Sequence, residues 1–233
     1  MNKQLRVAGL IFVLGLVLGL GGWQQQGWAA GRAELTQASN TLKQLFFPAV
    51  ASKAFRPAPG SVAAPVPAVL AATITVTNLA DGAANAANCP GVGCRLRDAI
   101  AKAVAGDTIN FSVNGTITLT NGELLITQSL NINGPGAALL TISGNHVSRV
   151  LEIRNATVAL NDLTITGGST TQVGGGILNF GGSNLTITNS EISGNSAVQG
   201  GGIANDFDCA LTIRNSTISG NSATTYGGGI VVL

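Results

Sequence analysis

Asp206-Phe207-Asp208 sets two carboxylates two residues apart, and on an extended segment both side chains point the same way. Such a pair is the core of a polysaccharide-cleaving site. There the acids hold calcium or act as acid and base, usually beside an Arg or Lys that takes a proton. Asp162 and Glu191 are a second candidate pair, able to meet diagonally on adjacent repeats with Arg214 one repeat further on. When the repeats are aligned, Asp162 falls with Asn189 and Asn215, Glu191 with Thr164 and Thr217, Asp206 with Phe180 and Asp208 with Gly182. Among the acids of the body, which also include Asp107, Glu123 and Glu152, no column holds two. The expectation is therefore a solvated Asp206/Asp208 loop, scattered surface charge at Asp162, Glu191 and Arg214, and no assigned catalytic residue. No cofactor is expected; calcium enters only if the chain is a cleaving enzyme.

Other chemistry finds less support. His146 is the single histidine and sits in the corner Gly144-Asn145-His146, with no Ser, Cys or acid placed to complete a triad. A Cys/His zinc set is absent from the sequence. The Gly-Gly-Gly runs lack the Lys-Ser/Thr of a phosphate loop and the Asp of calcium-binding nonapeptides.

Those same Gly runs define the organisation. Gly174-Gly175-Gly176-Ile177, Gly200-Gly201-Gly202-Ile203 and Gly227-Gly228-Gly229-Ile230 recur at a period of 26 and then 27 residues. The intervening text also repeats, as in Leu185-Thr186-Ile187 with Leu211-Thr212-Ile213 and Ile192-Ser193-Gly194-Asn195 with Ile218-Ser219-Gly220-Asn221. A fixed period of this size signals stacked units that cannot bury an apolar face alone. Short apolar triplets such as Ile117-Thr118-Leu119, Leu140-Thr141-Ile142 and Leu163-Thr164-Ile165 extend the pattern upstream. Their outer residues share one side of a strand. The sequence predicts an all-β solenoid, a parallel β-helix of about five coils over 108–233. Ile165, Ile192 and Ile218 would stack in one interior column, and Leu160, Ile187 and Ile213 in another. Asn189 and Asn215 would form an amide ladder at a corner. Gly194 and Gly220 would take positive φ.

Upstream, the chain changes character. Residues 1–30 read as a signal peptide: basic Lys3 and Arg6, an apolar run from Val7 to Leu20, and a small-residue cleavage site at Gly27-Trp28-Ala29. The run is shorter than the roughly 20 residues that span a bilayer, so the mature chain is expected to have no transmembrane segment. Residues 31–71 are rich in Ala and Pro and read as a disordered linker. Residues 72–107 hold a strand at Thr73–Thr77, a loop with Cys89 and Cys94, and a helix over Cys94–Val104. Leu96, Ala99, Ile100 and Ala103 share one face, and Gly106 is placed to end the helix at C′. That helix is the natural cap for the first coil. Cys89 and Cys94 are close enough for a small loop disulfide in an oxidising compartment. Cys209 aligns with Ser183 and reads as a lone thiol.

Charged residues are only 9% of the chain, with a formal net charge of +2. No basic patch supports nucleic-acid binding. Thr164-Ile165-Thr166 and Thr186-Ile187-Thr188 make a short Thr ladder of the kind seen on ice-binding solenoids, broken at Thr212-Ile213-Arg214. The ordinary β-propensity of Thr accounts for it.

Cys94-Arg95-Leu96-Arg97-Asp98-Ala99-Ile100 resembles the CSLREA motif of bacterial exported β-helix proteins, with Arg95 in place of Ser and Asp98 in place of Glu. The Gly-Gly-Gly-Ile and Ser-Gly-Asn-Ser-Ala elements resemble polymorphic outer membrane protein repeats, with Ile192 and Ile218 where that repeat has Phe. The resemblance covers 72–233. It implies a right-handed helix of the pectate-lyase-like superfamily, exposed outside the cell or on its outer membrane. That fold serves adhesins, tailspikes and polysaccharide lyases alike. The expected function is an adhesin-like scaffold that binds glycan or a surface protein without catalysis. The alternative is a pectate-lyase-like polysaccharide lyase or hydrolase. The scaffold reading predicts no cluster of paired acids with a base. Val231-Val232-Leu233 stops within a strand, so the chain reads as cut from a longer repeat protein, or as self-associating through an uncapped last coil.

Overall fold

The computed structural model describes residues 70–233. The segments read from the sequence as signal peptide (1–30) and, up to residue 69, as linker lie outside the described residues. Strand β1 (Thr73–Val76) is followed by a 3-10 turn at Ala86–Asn88 and by helix α1 (Leu96–Lys102). Five coils follow. The first holds β2 (Thr108–Phe111), β3 (Gly115–Thr118) and β4 (Leu124–Ile126); the second β5 (Leu130–Asn133), β6 (Leu140–Ser143) and β7 (Leu151–Arg154). The third holds β8 (Thr157–Asn161), β9 (Thr164–Thr166) and β10 (Ile177–Phe180). The fourth holds β11 (Asn184–Thr188), β12 (Glu191–Ser193), β13 (Ser196–Gln199) and β14 (Ile203–Asn205). The fifth holds β15 (Ala210–Arg214), β16 (Thr217–Ser219), β17 (Ser222–Tyr226) and β18 (Ile230–Val232).

Corresponding strands pair in parallel, coil on coil. The first sheet runs β1-β2-β5-β8-β11-β15, the second β3-β6-β9-β12-β16 and the third β4-β7-β10-β14-β18. The fold is thus a parallel β-helix. Its interior is columns of like residues. Ile74, Ile109, Ile132, Leu160, Ile187 and Ile213 align in the first sheet. Ile117, Ile142, Ile165, Ile192 and Ile218 align in the second. Each buried aliphatic side chain contributes roughly 1.5–3 kcal/mol relative to exposure. The third sheet changes chemistry along its column: Ile126 and Ile153 give way to Asn179 and Asn205. There the Asn179 amide donates to Asn205 Oδ1 at 2.7 Å, inside the core.

The corners explain the glycines and asparagines. Asp162, Asn189 and Asn215 all adopt positive φ (57°, 50° and 47°), the left-handed turn between the first and second sheets. Asn and Asp tolerate it because their short side chains bond locally. This corrects the amide ladder expected at Asn189 and Asn215: no side-chain bond joins them among the described residues. Amide stacking occurs at other asparagines. On the outer face of the first sheet Asn161 donates to Asn133 at 2.9 Å and Asn133 to Asn110 at 3.3 Å, and at the corner after the second sheet Asn195 donates to Asn221 at 2.9 Å. In the Gly runs, a Cβ on Gly176 would come within 2.6 Å of the Gly202 carbonyl, so stacking leaves no room for a side chain. The Thr ladder is also rearranged. Thr186-Ile187-Thr188 lies on the first sheet and Thr164-Ile165-Thr166 on the second. The second sheet presents Thr116/Thr118, Thr141/Ser143, Thr164/Thr166, Glu191/Ser193 and Thr217/Ser219 in register. Arg214 does not interrupt it, because Arg214 ends β15 on another sheet.

Helix α1 caps the first coil with Leu96, Ala99 and Ile100 buried. The Cys89–Cys94 disulfide closes the loop before it. The helix stops earlier than Gly106: Ala103 is already extended, with φ −60° and ψ 142°. Gln128 Nε2 donates to the Ile100 and Ala103 carbonyls, satisfying groups the last helical turn leaves open. Asp107 then accepts from Val104 N and Ala72 N. Gly106 belongs to the turn beyond, with φ +96°.

Asp98 is fully buried under the cap. It accepts from Asn85 N (2.7 Å), Asn88 Nδ2 (2.9 Å), Arg95 N (3.3 Å), Arg95 Nε (2.7 Å) and Arg95 Nη2 (2.9 Å). Burial would raise its pKa, but these donors outweigh burial, the Arg95 guanidinium first, and hold it well below the usual carboxylate range. Neighbouring Arg97 reaches the other way. It pairs with Asp81 at 2.8 Å and donates to the backbone carbonyls of Gly122 and Glu123. The cap therefore fixes where the backbone of Glu123 lies.

Candidate functional site

Glu123 precedes β4, and its side chain reaches the second coil. There the corner Gly144–Ser148 turns sharply through Asn145 and His146, both at positive φ (56° and 58°). It delivers Arg149 just before β7. Arg149 is only 5% exposed. Its Nη1 donates to Glu123 Oε2 at 2.6 Å and to Glu152 Oε2 at 3.1 Å. Its Nε donates to the Gly174 carbonyl at 3.0 Å and its Nη2 to the Val173 carbonyl at 3.0 Å. One guanidinium thus ties the first, second and third coils together. Glu152 projects from the middle of β7, in register with Leu125 and Leu178. It is also paired with Arg154, whose guanidinium lies 5.9 Å from the Phe180 ring centroid.

This arrangement corrects the expectation that no paired acids with a base would be found. The columns still hold one acid each; Arg149 joins Glu123 and Glu152 across columns. Burial pushes the Glu123 carboxyl above its ordinary value, the Arg149 charge opposes that, and Glu152 adds to it.

Two hollows flank Glu123. One, of about 440 Å³, is lined by Val147, Ser148, Arg149 and the 169–172 segment. The other, of about 410 Å³, is lined by α1 residues Arg97, Ile100 and Ala101 and by Leu125, Thr127 and Gln128. Glu123 belongs to both walls. Ser148 Oγ is buried with no hydrogen-bond partner.

The residues singled out in the sequence lie elsewhere. Asp206 Oδ1 accepts from Phe207 N at 2.9 Å, a local turn contact, beside the exposed Phe207 side chain. The ion pairs of the described residues join Arg95–Asp98, Arg97–Asp81, Arg149–Glu123, Arg149–Glu152 and Arg154–Glu152. Asp162, Glu191, Asp206, Asp208 and Arg214 are in none of them. Asp162 sits at a corner, Glu191 on the second sheet and Arg214 at the end of the first. Cys209 is a free thiol that accepts from Ser183 N at 3.2 Å. The sequence signal for this cluster is weak: Arg149 and Glu152 are three apart, while the 27-residue register between these coils sets Glu123 opposite Val150, one residue from Arg149. No helix among the described residues is long and apolar enough to cross a membrane. No group of three or more His, Cys, Asp or Glu able to hold a metal occurs among them.

No known family model, curated protein or solved structure matches the chain.

Proposed function

We propose that the protein is an exported, adhesin-like β-helix scaffold that holds glycan or protein on its outer surface without catalysis. One observation carries this reading: the arginine between the paired acids is fully engaged. Arg149 divides its donors between two carboxylates and two backbone carbonyls. A lyase needs an Arg or Lys free to take a proton, and a hydrolase needs two acids free to act on one bond. The row Thr118, Ser143, Thr166, Ser193 and Ser219 on the second sheet and the Asn row on the first support a contact role, since both present donors and acceptors in register on rigid strands. The secretory character of residues 1–30 and the likeness of the cap to an exported β-helix motif support export.

The enzyme reading draws on one feature, the raised Glu123 carboxyl next to a second acid, which is how a general acid is held protonated. The test is incubation of the full chain with uronide and neutral polysaccharides, with and without calcium, following both retention and new chain ends. Retention with intact polymer supports the scaffold. New ends that vanish in Glu123→Gln replace it with the enzyme.

A further inference from the structure

We propose that an uncharged oligosaccharide chain lies across Glu123, filling both hollows, with adjacent sugar hydroxyls bonding the carboxylate edge that Arg149 leaves open. This rests on the glycan-binding form of the scaffold reading and gives it a site and a ligand class.

Shape argues for a chain of sugars. Each hollow, at about 440 and 410 Å³, lies within the size of small-ligand sites. They share Glu123 as a wall, so one ligand reaching both must extend past that residue on either side. Charge argues for neutrality. Glu123, Arg149, Glu152 and Arg154 balance to zero within one network, and Arg97 is paired with Asp81. A uronate finds no unpaired cation there, and an ammonium group finds no unpaired acid.

Polarity fits a polyol. Glu123 Oε2 is taken by Arg149, while Oε1 accepts no hydrogen bond among the described residues. Its side chain is 35% exposed. A carboxylate oxygen held by a guanidinium is a strong, oriented acceptor for hydroxyls. Ser148 also lines this hollow, but its Oγ is buried, so the polar contact falls to the Glu123 carboxylate. Val147 and Leu125, 71% and 46% exposed, offer apolar surface to the C–H faces of the sugars. No aromatic ring among the described residues lines either hollow, so affinity must build with chain length.

The experiment is calorimetric titration of the full chain with glucose, maltotetraose, cellotetraose and tetragalacturonate. A neutral tetrasaccharide is expected to bind at least about tenfold more tightly than glucose, with tetragalacturonate weaker than both. Glu123→Ala should weaken the neutral tetrasaccharide by about tenfold, consistent with losing a hydrogen bond to a charged group. Glu123→Gln should weaken it less, and Asp206→Ala should leave it unchanged. Thermal melting of each variant separates lost binding from lost folding. If a neutral glycan binds but Glu123→Ala binds as wild type, the site is wrong and the scaffold reading stands. If tetragalacturonate binds best, the neutral ligand class is overturned. If no sugar binds, the site and the glycan form of the scaffold both fail, leaving protein as the partner.

Discussion

At the cap, one carboxylate collects five hydrogen bonds; at the groove, two carboxylates divide one guanidinium. Asp98 is buried and surrounded by donors from Asn85, Asn88 and Arg95, so its pKa falls. Glu123 is half-buried and shares Arg149 with Glu152, so its pKa rises. Both clusters consist of Asp or Glu with Arg, and Arg97 links them through the backbone of Glu123. What separates them is the supply of donors to each acid. The well-supplied acid is structural. The undersupplied one keeps an open oxygen, and an open oxygen at the meeting of two hollows is what a ligand can use.

The sharpest way to break this contrast is Asp98→Ala. It strands Asn85 N–H and the Arg95 guanidinium beneath the cap. A loss of about 2–4 kcal/mol is expected, because a removed buried partner leaves its donors desolvated. Urea unfolding monitored by circular dichroism measures it, and a loss below about 1 kcal/mol would contradict the assignment. Removing the disulfide as Cys89→Ala with Cys94→Ala comes next. The closed loop is short, so the expected loss is about 2 kcal/mol by the same measurement. Asn85 and Asn88, which donate to Asp98, lie just before Cys89, so the disulfide helps hold their segment on the helix and the effect should shrink in an Asp98→Ala background.

Acidity provides a finer test. In the folded state Asp98 lies below its ordinary pKa. Its contribution is present above the unfolded value of about 3.9 and is lost as pH falls through the folded value. Glu123 behaves oppositely. Its folded pKa is raised, so its contribution is fully present below the unfolded value of about 4.3 and is lost as pH rises through the folded value. Wild type should therefore gain stability relative to Glu123→Gln as pH falls from 7 to about 4. A difference that grows in the other direction would place Glu123 with Asp98. The smallest effect is that of Glu123→Gln at neutral pH. The amide still accepts from Arg149, and the change is expected to stay below about 1 kcal/mol.

The two clusters were not equally legible in the sequence. The interior columns could be read because identical residues recur at a fixed offset: Ile165, Ile192 and Ile218 pair as the period requires. The cap helix could be read because Leu96, Ala99 and Ile100 share one face. Its end could not, since Asp107 and Gln128 take over the last backbone groups from a distance, and nothing in local composition reports that. The Glu123 cluster escaped alignment because Arg149 stands in a corner that departs from the repeat and reaches diagonally. The amide ladder was placed at Asn189 and Asn215 because those residues align. Alignment does not say whether an Asn side chain stacks or simply permits a left-handed turn, and here it does the latter.

The clash of a Cβ at Gly176 with the carbonyl of Gly202 bears on how such a molecule can change its length. The last coils accept each other through backbone shape and matched columns, so a coil of the Gly-Gly-Gly-Ile pattern can follow another of that pattern. Inserting or deleting one repeat would add or remove 26 or 27 residues at once. It would lengthen or shorten the rod by one strand spacing, about 4.8 Å, without disturbing the coils on either side. Reach, for this architecture, is a heritable trait adjustable in whole coils, while the cap and the groove at Glu123 stay fixed at one end.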